Sequence, residues 1–308
     1  MKKVIIWGMG DNYEGLLNQI LFEIYKGNIS IEAIACRKKD KYCSMKDGFP
    51  VIVKEEINPD DFDYLIITST KYFKEIKEEA KKLGIEENKI IDGQLFRQPL
   101  FDFAKYVSLI ENPVTILSDD CWGGMTYNRL GLPFTSPLVN IYWDRDQYSL
   151  FIQDPLFYLN TELQMVSDGD IKKGIWPIGK LGDVERTVSL QFTHSISFAD
   201  AKEQWDRRKT RINPNNLFVK MGFASNVSND KKQMYFNSFK AVLYPKILFY
   251  YGDEKIDSIF RTERFVWKEQ TAENVVYYDY NAYCRECSFW DIDLLKLLTG
   301  DKDYSRYS

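Results

Sequence analysis

The sequence predicts an α/β fold in two domains, each built on a mostly parallel sheet. The chain has 308 residues, more than the roughly 250–300 at which one hydrophobic core stops growing. Short apolar runs alternate with amphipathic segments along its whole length, the pattern of strand–helix–strand units with right-handed crossovers. We therefore expect a first domain over residues 1–100 and a larger α/β domain over residues 101–308.

The strands of the first domain are near-continuous apolar runs, as expected for parallel strands that are buried on both faces. They are Val4–Trp7, Ile31–Ala35 and Tyr64–Thr68. The helices between them carry apolar residues at a spacing of three and four. They are Tyr13–Tyr25 and Tyr72–Leu83, and Gly84 is a C-cap residue for the second of them.

The first turn of this domain is rich in glycine, which lets a backbone approach a phosphate. Gly8, Gly10 and Gly15 are the candidate cofactor-binding residues. Tyr13 stands where a dinucleotide-binding turn has its third glycine, and no acid follows the second strand to hold a ribose. We therefore do not expect this domain to bind NAD, and the sequence identifies no cofactor. A phosphorylated ligand could meet the basic residues 37–39; alternatively, the sheet binds nothing and serves assembly.

Several segments of the first domain resemble the Rossmann-like domains that precede the catalytic part of bacterial sugar O-acetyltransferases. These segments are Lys3–Gly10, Gly48–Ile52, Asp63–Thr68 and Gly84–Asp92. The resemblance implies a Rossmann-like parallel sheet and a place in a sugar pathway.

The second domain repeats the alternation after the helix-breaking pair Asn112-Pro113. Its predicted strands are Val114–Leu117, Leu138–Trp143, Val188–Phe192, Leu217–Met221, Ile247–Tyr251 and Val275–Tyr278. Its predicted helices are Gln147–Tyr158, Ala199–Arg211, Lys231–Val242 and Phe289–Leu298. Ligands of open α/β sheets bind outside the carboxyl ends of the strands. The polar residues that fall there are Asp119, Asp120, Cys121, Asp144, His194 and Lys220.

The run after the strand Val114–Leu117 has the composition of a site. It comprises Asp119, Asp120, Cys121, Trp122, Gly123 and Gly124. Side chains alternate faces at a strand end, so one carboxylate should point inward while the other acts in catalysis or caps the next helix. A thiol at a helix start is a nucleophile where it is exposed, and otherwise a small buried residue. The Trp122 indole either stacks on a sugar or packs in the core. Gly123 and Gly124 either let the backbone approach an anion or form a tight turn.

Two further groups are candidates. His194 is the only histidine, lies in phase with the buried face of its strand and stands at the strand tip. It is either a general base or a hydrogen-bonded core residue. Arg207, Arg208 and Arg211 lie one turn apart on a helix, and they either grip a phosphate or form a solvated face.

The second domain resembles the bacterial family called domain of unknown function 1919, whose members are often labelled exopolysaccharide or capsular polysaccharide biosynthesis proteins. The segments that carry the resemblance are Ser118–Gly124, Leu130–Asn140, Pro155–Leu163, Pro177–Leu181 and Phe192–Asn213. It covers about residues 113–300 and includes Asn140 and the three arginines, which are candidate substrate-binding residues. The family has no established reaction.

Composition excludes other classes. A net charge of −4 and interspersed charges give no basic footprint for nucleic acid, and no apolar run is long enough to span a membrane. Five cysteines, an odd number, favour reduced thiols in the cytoplasm. Cys284 and Cys287 form a single C-x-x-C, which cannot close a zinc site alone, so no metal is predicted.

The sequence thus predicts a cytoplasmic transferase that acts on a nucleotide-linked or phosphorylated sugar in surface polysaccharide biosynthesis. The reaction is glycosyl, acyl or phosphoryl transfer. The alternative is a noncatalytic nucleotide-sugar-binding or scaffold protein. The expected partner is a sugar or nucleotide sugar, and the sequence leaves a homo-oligomer open.

Overall fold

A computed structural model describes residues 1–37, 44–224, 226–251, 260–261, 265–267, 275–278 and 292–304. The chain divides into two compact units, Met1–Glu111 and Asn112–Ser308. The division lies at the end of a helix, Phe103–Glu111, whereas the sequence analysis placed the boundary near residue 100.

The first unit contains a six-stranded sheet of order β3-β4-β2-β1-β5-β6, in which only β3 is antiparallel to its neighbour. Its strands are β1 (Lys2–Trp7), β2 (Ile29–Cys36), β3 (Met45–Lys46), β4 (Phe49–Val53), β5 (Tyr64–Ile67) and β6 (Ile90–Asp92). Its helices are α1 (Asp11–Glu14), α2 (Leu17–Tyr25), α3 (Phe73–Lys82) and α4 (Phe103–Glu111). The segment predicted as one helix from Tyr13 is therefore two, which are separated by Gly15 and Leu16.

The second unit has a six-stranded sheet of order β13-β14-β15-β12-β11-β7, in which β7, β11, β12 and β15 are parallel. Its strands are β7 (Thr115–Ser118), β8 (Gln164–Ser167), β9 (Ile178–Gly182), β10 (Thr187–Gln191), β11 (Leu217–Ala224), β12 (Lys246–Tyr251), β13 (Phe260–Arg261), β14 (Phe265–Trp267) and β15 (Val275–Tyr278). Its helices are α5 (Trp122–Leu130), α6 (Arg145–Phe151), α7 (Pro155–Asn160), α8 (Phe198–Lys209), α9 (Asn229–Ala241) and α10 (Leu294–Leu298). The α/β class is confirmed.

Three predictions about the second unit need correction. The predicted strand Val188–Phe192 is confirmed as β10, but it is not part of the parallel sheet, because it pairs antiparallel with β9 in a separate three-stranded sheet. The predicted strand Leu138–Trp143 is a turn with one bridge residue, because Asn140 adopts a φ of 64° that ends any extended run. The predicted helix Gln147–Tyr158 is split into α6 and α7, because Asp154 caps a new helix that Pro155 begins.

Helix α5 packs closely on β7 and on the turn that contains Val139, and its two glycines make this possible. A Cβ on Gly123 would lie 3.2 Å from side-chain carbons of Ile116 and Ser118, and one on Gly124 would lie 3.2 Å from Val139. Both glycines therefore have a packing role, and Gly123 brings the first turn of α5 close to β7. No helix in the described part of the chain is both long and apolar enough to cross a bilayer.

Candidate functional site

Three charged side chains meet at the carboxyl end of the parallel sheet in the second unit. Ser118, the last residue of β7, pairs with Lys220 of β11, so the lysine lies beside the two acids that follow β7. The Nζ atom of Lys220 is 2.9 Å from Oδ1 of Asp119 and 2.6 Å from Oδ2 of Asp120. We call Asp119, Asp120 and Lys220 the charged triad.

Asp119 is the buried member of the triad, with 3% of its side chain exposed. Its second oxygen, Oδ2, accepts a hydrogen bond of 3.0 Å from the backbone N–H of Gly222. Burial raises the pKa of Asp119, and the charge of Lys220 opposes this effect. Both carboxylate oxygens contact the protein, so Asp119 positions Lys220 rather than facing a ligand.

Asp120 is the accessible member, with 39% of its side chain exposed. Its Oδ1 accepts hydrogen bonds from the hydroxyl of Ser118 at 3.1 Å and from the N–H of Trp122 at 2.9 Å. Partial burial works against ionisation, but the charge and hydrogen bond of Lys220 and these donors together lower the pKa of Asp120. Asp120 is therefore an ionised carboxylate that also caps the first turn of α5.

Lys220 is enclosed, with 1% of its side chain exposed. Its Nζ lies 5.5 Å from the centre of the Phe249 ring, within the range of a cation–π contact. The hydroxyl of Tyr148, on α6, lies 2.8 Å from the carbonyl oxygen of Leu117 and 2.9 Å from that of Lys220. It thereby ties β7 to β11 just below the triad.

Gly222 leaves room for the lysine ammonium. A Cβ at this position would lie 3.2 Å from Nζ of Lys220 and 3.5 Å from the carbonyl oxygen of Phe249. We expect Gly222→Ala to lower the free energy of unfolding by about 1–3 kcal/mol, because the ammonium must move away from its carboxylates. Urea denaturation measures the loss. Gly10→Ala is the control, since a Cβ there would meet no atom within 4 Å; equal effects of the two changes would contradict the steric argument.

Cys121 and Trp122 directly follow Asp120 in the sequence, but they are not part of the charged triad. Cys121 is a free, partly exposed cysteine at the N-cap of α5. Trp122 is 5% exposed and packs edge-on against Phe249 with the ring centres 5.7 Å apart. The indole therefore fills the core in this structure.

His194 follows a strand that does not belong to the sheet of the triad. It is an exposed residue of the turn that follows β10, and β10 belongs to the antiparallel sheet and not to the sheet that carries Asp119. Within the described ranges its side chain has no hydrogen-bond or ion-pair partner. The expectation that His194 shares a strand edge with the aspartates is wrong, because it assumed that both strands belong to one parallel sheet.

The three arginines lie at the C-terminal end of α8, where the helix dipole favours positive charge. Arg207 and Arg211 are exposed, whereas Arg208 donates to the carbonyl oxygen of Val139 at 2.6 Å and to Gln204 at 2.9 Å. Burial, and then the charges of the other two arginines, lower the pKa of Arg208. Arg208 thus anchors the turn that contains the exposed Asn140.

Two family comparisons cover nearly the whole chain. Residues 92–296 match the family described as domain of unknown function (DUF1919), and residues 1–91 match one described as C2185-like, N-terminal. The chain belongs to the DUF1919 family. An uncharacterized protein of Haemophilus influenzae is 31% identical over 127 residues, which are 41% of this chain and 58% of that protein. The chain thus spans less than two thirds of the length of this relative.

The DUF1919 match includes all candidate residues of the second unit, and it also includes one that the sequence analysis missed. Arg145, the first residue of α6, donates through Nε to the carbonyl oxygen of Gly222 at 2.5 Å. The predicted helix began at Gln147 and so left Arg145 outside. The available signal was Asp144, whose carboxylate caps α6 by accepting from the N–H of Asp146.

The glycines of the first unit lie at the carboxyl end of β1, outside the DUF1919 match. Gly8 has a φ of 115°, and a Cβ there would lie 2.6 Å from the Thr68 hydroxyl. Gly10 is open, and the Arg97 guanidinium lies 2.9 Å from the place of a Cβ on Gly15. Arg37, one of the basic residues expected to meet a ligand, forms ion pairs with Glu75 and Glu79.

Among the residues described, no group of three or more His, Cys, Asp or Glu side chains is placed to hold a metal ion. Cys284 and Cys287, the C-x-x-C pair, lie outside the described residues.

Proposed function

We propose that the protein is a transferase that acts on a nucleotide-linked or phosphorylated sugar in the biosynthesis of a surface polysaccharide, in the cytoplasm. The observation that carries the proposal is the charged triad, which presents one ionised and accessible carboxylate at the edge of a parallel sheet where ligands of α/β proteins bind.

Asp120 has room to receive a proton. An ionised carboxylate has about four lone-pair sites; Ser118 and Trp122 occupy Oδ1 and Lys220 occupies one site on Oδ2. One site on Oδ2 remains for a substrate hydroxyl. Asp120 then acts as the general base, and Lys220 and Asp119 hold it in place.

A general base can assist each of glycosyl, acyl and phosphoryl transfer to a hydroxyl group. The acceptor hydroxyl attacks the donor, its proton passes to Asp120, and the bond from the donor to its leaving group breaks with the electron pair going to that group. In glycosyl transfer from a nucleotide sugar, the leaving group is a nucleoside diphosphate. A positioned general base contributes about 10²–10⁴-fold to such a step.

A noncatalytic nucleotide-sugar-binding or scaffold protein is the second candidate. The observation in its favour is that both aspartates already bind protein groups: Asp119 holds Lys220 and Gly222, and Asp120 caps α5. In this reading, the triad only stabilises the join between β7, β11 and α5.

A panel of UDP-, GDP- and CDP-linked sugars tests the proposal. We expect at least one compound to raise the melting temperature of the full chain and, with a sugar acceptor present, to release its nucleotide at a rate proportional to protein concentration. Stabilisation without nucleotide release would favour the binding protein. If no compound in the panel stabilises the chain, the proposal is contradicted.

A further inference from the structure

We propose that Arg145 binds a phosphate group of the ligand beside the charged triad. The inference takes the class of the ligand from the proposed function, and it concerns a residue that neither the sequence analysis nor the family comparison assigns.

The guanidinium of Arg145 lies against the backbone of β11. Nε of Arg145 donates to the carbonyl oxygen of Gly222, while the N–H of the same glycine donates to Asp119. One residue of β11 thus connects both side chains. The pKa of Asp119 is raised by burial; the charge of Lys220 opposes this rise, and the charge of Arg145 opposes it more weakly.

Arg145 has further N–H donors besides the one that binds Gly222. A guanidinium has five N–H donors, and Arg145 uses the one on Nε for Gly222. Across the described part of the chain, its two Nη groups have no hydrogen-bond or ion-pair partner. With Nε fixed, they form a planar fork of the kind that contacts two oxygens of one phosphate.

The two acidic residues that flank Arg145 in the sequence, Asp144 and Asp146, have other hydrogen-bond partners. Asp144 accepts the N–H of Asp146 as the cap of α6. The carboxylate of Asp146 accepts from Lys231 at 2.7 Å and from the hydroxyl of Tyr235 at 2.7 Å. Among the described residues neither carboxylate forms an ion pair with Arg145, so its Nη groups are available to an anion.

Arg208 provides an internal comparison. It uses two guanidinium nitrogens, one on the Val139 carbonyl and one on Gln204. Its contacts position a turn, whereas Arg145 holds a backbone carbonyl through Nε and, among the described residues, has no acceptor for its two Nη groups. Of these two arginines, Arg145 has the geometry for an anion.

The test measures binding of UDP, inorganic pyrophosphate and uridine by calorimetry to wild type, Arg145→Lys and Arg186→Lys. Lysine keeps the charge but lacks the fork, so we expect Kd for UDP and pyrophosphate to rise at least tenfold in Arg145→Lys. Uridine binding should not change. Arg186→Lys is the control, because this exposed arginine pairs with Asp154 and not with a residue of the triad. Equal affinity of wild type and Arg145→Lys, or no pyrophosphate binding by wild type, would overturn the inference.

A second measurement needs no variant. Phenylglyoxal modifies accessible arginines, and mass spectrometry follows the modification of Arg145 in wild type. We expect pyrophosphate to slow it several-fold; an unchanged rate would also overturn the inference. The proposed function fails separately: if pyrophosphate protects Arg145 but no nucleotide sugar is consumed, the anion site stands and the transferase does not.

Discussion

Lys220→Met is expected to lower the free energy of unfolding by about 3–5 kcal/mol, the range for breaking a buried ion pair from one side. Methionine fits the volume of the stem but leaves Asp119 buried without a counter-charge and beside a second carboxylate. The loss comes from the uncompensated acids, because the side chain itself remains apolar enough to pack.

The pH dependence of this loss identifies its cause. Without the lysine, burial and mutual repulsion raise the pKa of the aspartates in the folded state above about 3.9, the value for an unfolded chain. A raised folded pKa means that the folded state binds more protons, so its stability falls as pH rises through that range. The deficit of Lys220→Met should therefore be smaller at pH 5 than at pH 8.

Urea denaturation at both pH values measures the deficit, with Lys231→Met as the matched control. Lys231 also forms a 2.7 Å ion pair, with Asp146, but both side chains are well exposed, so its removal should cost less than about 1 kcal/mol. The buried-triad account is wrong if the two variants are equally stable, or if the deficit of Lys220→Met is the same at pH 5 and pH 8.

Asp120→Asn is expected to reduce turnover of the nucleotide sugar by about 10²–10⁴-fold, because the amide cannot take the proton of the acceptor hydroxyl. The amide oxygen can still accept from Trp122, so the cap of α5 remains. Donor binding should change little, since the base acts on the acceptor. Steady-state rates with a saturating donor measure the effect.

The matched control is Asp206→Asn. Asp206 is an exposed aspartate that also pairs with a lysine, Lys202, at 3.0 Å, and its change should leave the rate unaltered. If Asp120→Asn retains half or more of the wild-type rate while remaining folded, Asp120 is not the base. The triad would then serve only to join β7, β11 and α5.

The sequence predicted the features that depend on neighbouring residues. Apolar runs such as Val4–Trp7 and Leu217–Met221 lie in buried strands, because burial removes their apolar side chains from water. The same logic placed Asp119 and Asp120 at the end of β7. The errors lie where one position overrides the pattern, as at Asn140 with its positive φ and at Pro155, which begins a new helix.

Only the tertiary structure decided which residues form the site. Lys220 and Asp120 are separated by 100 positions in the sequence, and their contact follows from β7 pairing with β11. His194 follows a strand of the same appearance, β10, but that strand pairs with β9 instead. A strand pattern shows that a strand exists but not which partner it takes, because the partner is set by long-range packing. For the same reason, the sequence could not predict the hydrogen bond between Arg145 and Gly222, which depends on how α6 packs against the sheet.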